Sequence, residues 1–171
     1  MYHVIGSYRS RAFRVLWLLE ELGLEYKHTP SAPHSEEIKA VYSRGKIPAL
    51  LDGDEVLTDS VAIMSYLSDK HGGLGAPAGT LGRARLDAML HRINEEVDAI
   101  LWGASKHSFI YPEERRMPEV KETLKWEFAR NMDALADDLG DKPFLMGDEI
   151  TIADILLTPV SYTHLTLPTI A

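Results

Sequence analysis

The chain has 171 residues, 45% of them hydrophobic and 26% charged, with a formal net charge of −8 and no cysteine. An acidic balance without a block of Lys or Arg argues against nucleic acid and anionic membrane surfaces as partners. The missing cysteine excludes disulfides, thiolate metal sites, cysteine nucleophiles and dithiol redox chemistry. No apolar run is long enough for a membrane span. The N-terminus enters a strand-like Tyr2-His3-Val4-Ile5 without a basic, then apolar leader, so the expected compartment is the cytoplasm. The histidines His3, His71, His91, His107 and His164 are scattered, with no metal-ligand spacing beside an acid, and no metal site is read.

In chain order, residues 2–6 predict a short strand. Ser10 to Leu22 carries apolar residues at helical spacing and predicts a largely buried helix, ended by Gly23 in the C′ position. Glu25 to Thr29 predicts a second strand. The Pro- and Ser-rich stretch 30–45 predicts a loop with a short helix near 36–42. Ile47 to Asp52 predicts a strand entered through a restricted X-Pro bond, with Pro48 near its start because proline cannot donate to a ladder. Gly53-Asp54 predicts a tight turn and Glu55 to Thr58 the returning strand. Asp59-Ser60 opens a helix running to His71, which Gly72-Gly73 stops.

Residues 72–80 form a Gly/Pro/Ala linker, the best boundary in the chain. It divides an α/β region, 1–73, from an all-helical region, 80–160. The latter predicts one long helix from Leu81 to about Lys106, another from Pro118 to Leu139, and a buried helix beginning at Thr151, with Asp154 completing a capping box. The stretch 161–171 carries no charge and no helical period, and reads as a non-native tail.

Three segments stand out chemically. In the loop Ser7-Tyr8-Arg9-Ser10, Ser10 sits at the start of a helix, where a hydroxyl and free N–H groups stabilise a negative charge. Ser7 and Tyr8 compete with it, and a plain helix cap explains Ser10 equally well. Lys46-Ile47-Pro48 places a cation beside an apolar-Pro step, and Lys46 reads equally as a solvated lysine. Asp59-Ser60 puts a carboxylate and a hydroxyl at a second helix start, again the place of an ordinary cap. Tyr2 reads as a strand surface residue.

Together these segments resemble the soluble glutathione S-transferases along residues 1 to about 160. The resemblance implies a thioredoxin-like α/β domain followed by a helical-bundle domain, and further C-terminal helices, so the chain reads as truncated. It implies a glutathione transferase, with glutathione as cosubstrate and no metal. The bound thiolate would attack a small hydrophobic electrophile. The alternatives are a glutathione-dependent isomerase or dehalogenase, or a non-catalytic interaction module on the same fold. On this reading Ser10 holds the thiolate. Ile47 pairs with the cysteinyl backbone through a cis Ile47-Pro48 step, Lys46 and His34 lie at the glycyl carboxylate, and Asp59 and Ser60 hold the γ-glutamyl ends. Arg14 pairs with an acid. The electrophile would lie between the domains, near Met89, Ile93, Val97, Trp102 and His107. A homodimer is the assembly the resemblance implies.

Overall fold

The computed structural model describes the backbone of residues 1–165 and the side chains of residues 1–158. It divides into two compact units, Met1–Arg83 and Ala84–Ala171.

The first unit is built on four short strands: β1 (Tyr2–Ile5), β2 (Tyr26–Thr29), β3 (Ala49–Asp52) and β4 (Glu55–Thr58). They lie in the order β2-β1-β3-β4, with β1 and β2 parallel and the other two pairings antiparallel. Helices α1 (Ala12–Glu21), α2 (Glu36–Lys39) and α3 (Ser60–His71) complete it. Alternation sends Ile5 and Ala49 to one face of the sheet, where they bury Ile38 of α2. Val4 and Leu50, also fully buried, turn to the opposite face, with α1 packed against β1 and α3. The β3–β4 turn is the expected two-residue hairpin, with Asp52 paired to Glu55 across Gly53-Asp54.

Both long helices of this unit end as their glycines require. Gly23 adopts φ 63°, and the amides of Gly23 and Leu24 close back onto the carbonyls of Glu20 and Leu19. Gly72 adopts φ 73° and closes onto Ser68.

Three expectations need correction here. The third strand begins at Ala49, not Ile47, because its pairing with β1 and β4 starts at Ala49, opposite Ile5 and Thr58; the Ile47-Pro48 bond before it is cis. The first helix begins at Ala12, with Ser10 in the turn before it. Tyr2 is 7% exposed rather than a surface residue, and its hydroxyl lies 2.8 Å from Nε2 of His71.

The second unit is helical. Residues 81–110 stay helical, but the long helix expected there changes pitch twice. It runs as α4 (Leu81–Ile93), a π turn (Asn94–Asp98), α5 (Ala99–Ser105) and a second π turn (Lys106–Ile110). Side chains satisfy carbonyls along these changes. Asn131 Nδ2, from α6 (Val120–Leu139), donates to the Glu96 carbonyl at 2.9 Å, and Ser105 Oγ donates to the Leu101 carbonyl at 2.9 Å.

The capping box forms as the sequence predicts. Asp154 Oδ2 accepts from the Thr151 amide and hydroxyl, and Oδ1 accepts from the Leu145 amide. It opens α7 (Ile152–Leu165), so the helix continues into the stretch read as an aperiodic tail. Residues 166–171 of that stretch lie outside the described residues. None of the described helices is long and apolar enough to cross a membrane.

At the hairpin, Asp52 Oδ2 accepts from Tyr66 Oη at 2.6 Å and from Lys70 Nζ at 2.5 Å. The Lys70 ammonium and the Tyr66 hydroxyl hold the Asp52 carboxyl below its ordinary range. A carboxylate whose pKa is depressed on folding stabilises the fold above its unfolded pKa and loses that contribution as pH falls through its folded pKa. Asp52→Asn is therefore expected to lower the urea midpoint at pH 7, with the two proteins converging below about pH 4. Urea unfolding across pH checks this.

Candidate functional site

The register of the sheet determines which loops meet. Thr29, Ile5, Ala49 and Thr58 form one row across the four strands. The chain segments leaving or entering that row carry the candidates: the 6–11 loop, Ile47-Pro48, and Asp59-Ser60. The convergence depends on Gly6. At φ 152°, a Cβ built on it falls 2.8 Å from the Cβ of Ala12 and 3.3 Å from the Cβ of Ile47, with the Pro48 Cα at 3.5 Å. The end of β1, the start of α1 and the Ile47-Pro48 step thus share a space that no side chain at position 6 fits.

Within the loop, the Ser7 carbonyl accepts from the Ser10 amide at 3.0 Å and from Ser10 Oγ at 2.6 Å. Ser10 Oγ also accepts from the Ala12 amide at 3.2 Å, so Ser10 does cap the first turn. Ser7 Oγ accepts from the Arg9 amide at 3.1 Å. Tyr8 is 56% exposed and lines a groove on the flank of α1 and β2 with Phe13 and His28.

Asp59 adopts φ 72°, uncommon for a residue with a side chain, and such outliers concentrate at ligand sites. Its Oδ1 accepts from the amides of Val61 and Ala62 at 2.9 and 3.1 Å, which makes it the cap of α3. Ser60 is buried, and its hydroxyl accepts from Arg14 Nη1 of α1 at 3.2 Å. Arg14 is itself 1% exposed, so α1 and α3 are joined by a buried cationic contact beside the site.

His34, with φ 64°, donates its amide to the Gly45 carbonyl at 2.7 Å. A Cβ on Gly45 falls 2.7 Å from the His34 ring, so His34 lies against the residue preceding Lys46. Both side chains are exposed. In the second unit, Ile93 and Val97 are fully buried, Trp102 is 36% exposed, and His107 Nδ1 accepts from the Met117 amide at 3.1 Å. No group of three or more His, Cys, Asp and Glu suited to a metal occurs among the described residues.

Two residues of this region had no sequence signal strong enough to single them out. One is Gly6, one of 12 glycines in the chain. The other is His28, whose Nε2 lies 2.7 Å from the Gly6 carbonyl.

A four-stranded mixed sheet with its loops gathered at one end, followed by a helical unit, is the order of a thioredoxin-like domain and a helical domain. Residues 4–75 match the family described as "Glutathione S-transferase, N-terminal domain", and residues 98–170 match "Glutathione S-transferase, C-terminal domain". Glutathione S-transferase 3 of Zea mays is 30% identical over 162 residues, which cover 82% of this chain and 68% of that protein. Human glutathione S-transferase theta-2B is 35% identical over 135 residues, covering 71% of this chain and 52% of that protein. A crystal structure of a glutathione S-transferase from Pseudomonas fluorescens superposes with a TM-score of 0.78 at 26% identity, covering 95% of this chain and 84% of that one. The chain belongs to the glutathione S-transferase family. It spans between about half and about two-thirds of the length of these two curated relatives.

Gly6→Ala is expected to destabilise the first unit by about 2–3 kcal/mol, because the added methyl overlaps Ala12 and meets an unfavourable φ. Chemical denaturation checks this, and a cost under about 0.5 kcal/mol contradicts the close approach.

Proposed function

We propose that this chain binds glutathione at the loop end of its sheet and stabilises the thiolate with Ser10 for transfer to a small hydrophobic electrophile. The observation that carries this is the meeting of three loops at one row of the sheet, enforced by the bare Cα of Gly6.

The chemistry follows from hydrogen-bond capacity. A hydroxyl has one proton to donate and lone pairs to accept with. Ser10 spends its proton on the Ser7 carbonyl. Turning it to a thiolate gives up a neutral bond of about 1 kcal/mol and gains a charge-assisted one, roughly twice as strong. The Ser7 carbonyl keeps the Ser10 amide as a donor. The Ala12 amide, donating to the same Oγ, favours the turned hydroxyl as a donor by polarising it. Tyr8 belongs to the α1–β2 flank, which supports Ser10 over it as the thiol partner.

Asp59 and Ser60 suit the two ends of a γ-glutamyl group. Both capping bonds of Asp59 fall on Oδ1, leaving Oδ2 to accept from an ammonium. Ser60 Oγ receives the Arg14 guanidinium through a lone pair, leaving its proton for a carboxylate. Ile47 offers backbone groups to an extended tripeptide. Lys46 and His34 suit the glycyl carboxylate: His34 packs against Gly45, the residue before Lys46, and both side chains are exposed. The bound thiolate then acts as nucleophile, lowered in pKa by the hydroxyl and the start of α1. An isomerase or dehalogenase would use the same thiolate. Conjugation is preferred because the Ser7-Tyr8-Arg9-Ser10 loop lacks the Ser-Ser-Cys run of the isomerase branch. A cytoplasmic homodimer is part of the same reading.

Calorimetry with glutathione tests it. The parent is expected to bind, and Asp59→Ala/Ser60→Ala to bind at least about tenfold more weakly, since a contact to a charged group contributes about 1.5–3 kcal/mol. Ser10→Ala is expected to leave affinity little changed while raising the bound thiol pKa by about one unit. A folded parent that binds no glutathione overturns the transferase reading and leaves the interaction module.

A further inference from the structure

We propose that His28 is a positioning residue for the thiolate loop: its Nε2–H grips the Gly6 carbonyl and so determines where Ser10 points. The inference rests on the reading of Ser10 given above.

The carbonyl can only accept, so the 2.7 Å contact requires the proton on Nε2 of His28. The last ladder pair between β1 and β2 is Ile5 with Thr29. Beyond it the chain must leave the sheet at once to enter α1, and Gly6 is the residue that turns. Its amide donates to the Thr29 carbonyl at 3.0 Å and its carbonyl takes His28, so both of its polar groups are tied to β2. The Gly6 carbonyl and the Ser7 amide share one rigid peptide plane. Holding the carbonyl therefore sets the orientation in which Ser7 enters the loop. The next carbonyl, that of Ser7, receives both the amide and the hydroxyl of Ser10.

Glycine is the one residue that fits at position 6, and it is also the residue with the widest backbone freedom, so its conformation has to be imposed from outside. The Thr29 bond restrains the plane before Gly6. His28 restrains the plane after it, the one that leads to the site. His28 sits on β2, an edge strand that carries none of the other candidate residues. It is half-buried, on the face of the sheet shared with α1, where Tyr26 and Phe13 border it. Neutral Nε2–H imidazole and imidazolium both donate from Nε2, so the grip survives protonation of the ring.

The test compares His28→Leu, which removes the donor, with His28→Gln, whose side-chain amide supplies one at a similar reach, and with Ser10→Ala. Bound glutathione thiolate is titrated by ultraviolet difference absorbance, beside kcat and KM for a model aryl halide. The expected result is a thiol pKa raised in His28→Leu, a kcat lowered about threefold to tenfold near neutral pH, and a glutathione dissociation constant within about twofold of the parent. His28→Gln is expected to recover most of both losses. A merely structural role would lower the folded fraction without moving the pKa of the molecules that remain folded.

The outcomes separate the two claims. If Ser10→Ala leaves the thiol pKa where it was, the Ser10 reading fails. If Ser10→Ala raises it and His28→Leu does not, or if His28→Gln behaves as His28→Leu, the positioning claim alone is overturned. Should His28→Leu not fold, nitrogen-15 spectra of the parent ring decide. A stable Nε2–H tautomer shielded from exchange supports the claim, and a ring in fast tautomeric exchange overturns it.

Discussion

The architecture of the candidate site depends on one close approach, the Cα of Gly6 against Ala12, Ile47 and Pro48. Packed interiors have no slack for an extra methyl, so a position with φ 152° crowded by the Cβ atoms of Ala12 and Ile47 admits only glycine. The consequence runs outward along the sheet. With β1 ending in that contact, the 6–11 loop turns back to start α1 at Ala12, β3 begins directly after Pro48, and the row through Ala49 brings Thr58 and then Asp59 alongside. Ser10, Asp59 and Ser60 are then presented at helix starts, on elements whose rigidity comes from the core beneath them. Ile5 and Ala49, whose positions in the row define the site, are at the same time the residues that bury Ile38.

Capping a helix does not exhaust the hydrogen-bonding capacity of Ser10 or Asp59. Ser10 and Asp59 both cap helices, and each retains capacity for a further partner: a rotatable proton on Ser10, a second oxygen on Asp59. A helix start needs its first amides satisfied whether or not a ligand is present. A residue that does so with one lone pair or one oxygen holds itself in place for the other. Arg14 extends this logic inward. Its buried guanidinium donates to Ser60 and thereby couples α1 to α3 from below the site.

The elements with strong local signals were legible in the sequence. The Gly53-Asp54 hairpin, the Gly23 and Gly72 stops and the Thr151–Asp154 box all depend on contacts within a few residues, and all formed as read. Pro48 announced its own cis step through resemblance, but the ladder's true start at Ala49 depends on a partner strand distant in sequence. Tyr2 carries no local sign of its burial, because its partner His71 is 69 residues away in sequence. The two π turns escaped because apolar spacing does not distinguish a helix of one pitch from a helix that loosens where a side chain such as Asn131 takes a carbonyl. Gly6 and His28 were invisible for the same reason. A glycine declares its necessity only once its neighbours in space are known, and a histidine on a strand carries no local sign of the carbonyl it holds.

The most direct measurement is a glutathione titration followed by amide proton–nitrogen correlation spectra of the chain. The account predicts that the amides of Gly6, Ser10, Ile47 and Ser60 shift together along one saturating curve, because a single ligand spans loops gathered at one row of the sheet. Shifts confined to one of these segments, or four curves with different midpoints, would contradict a common site.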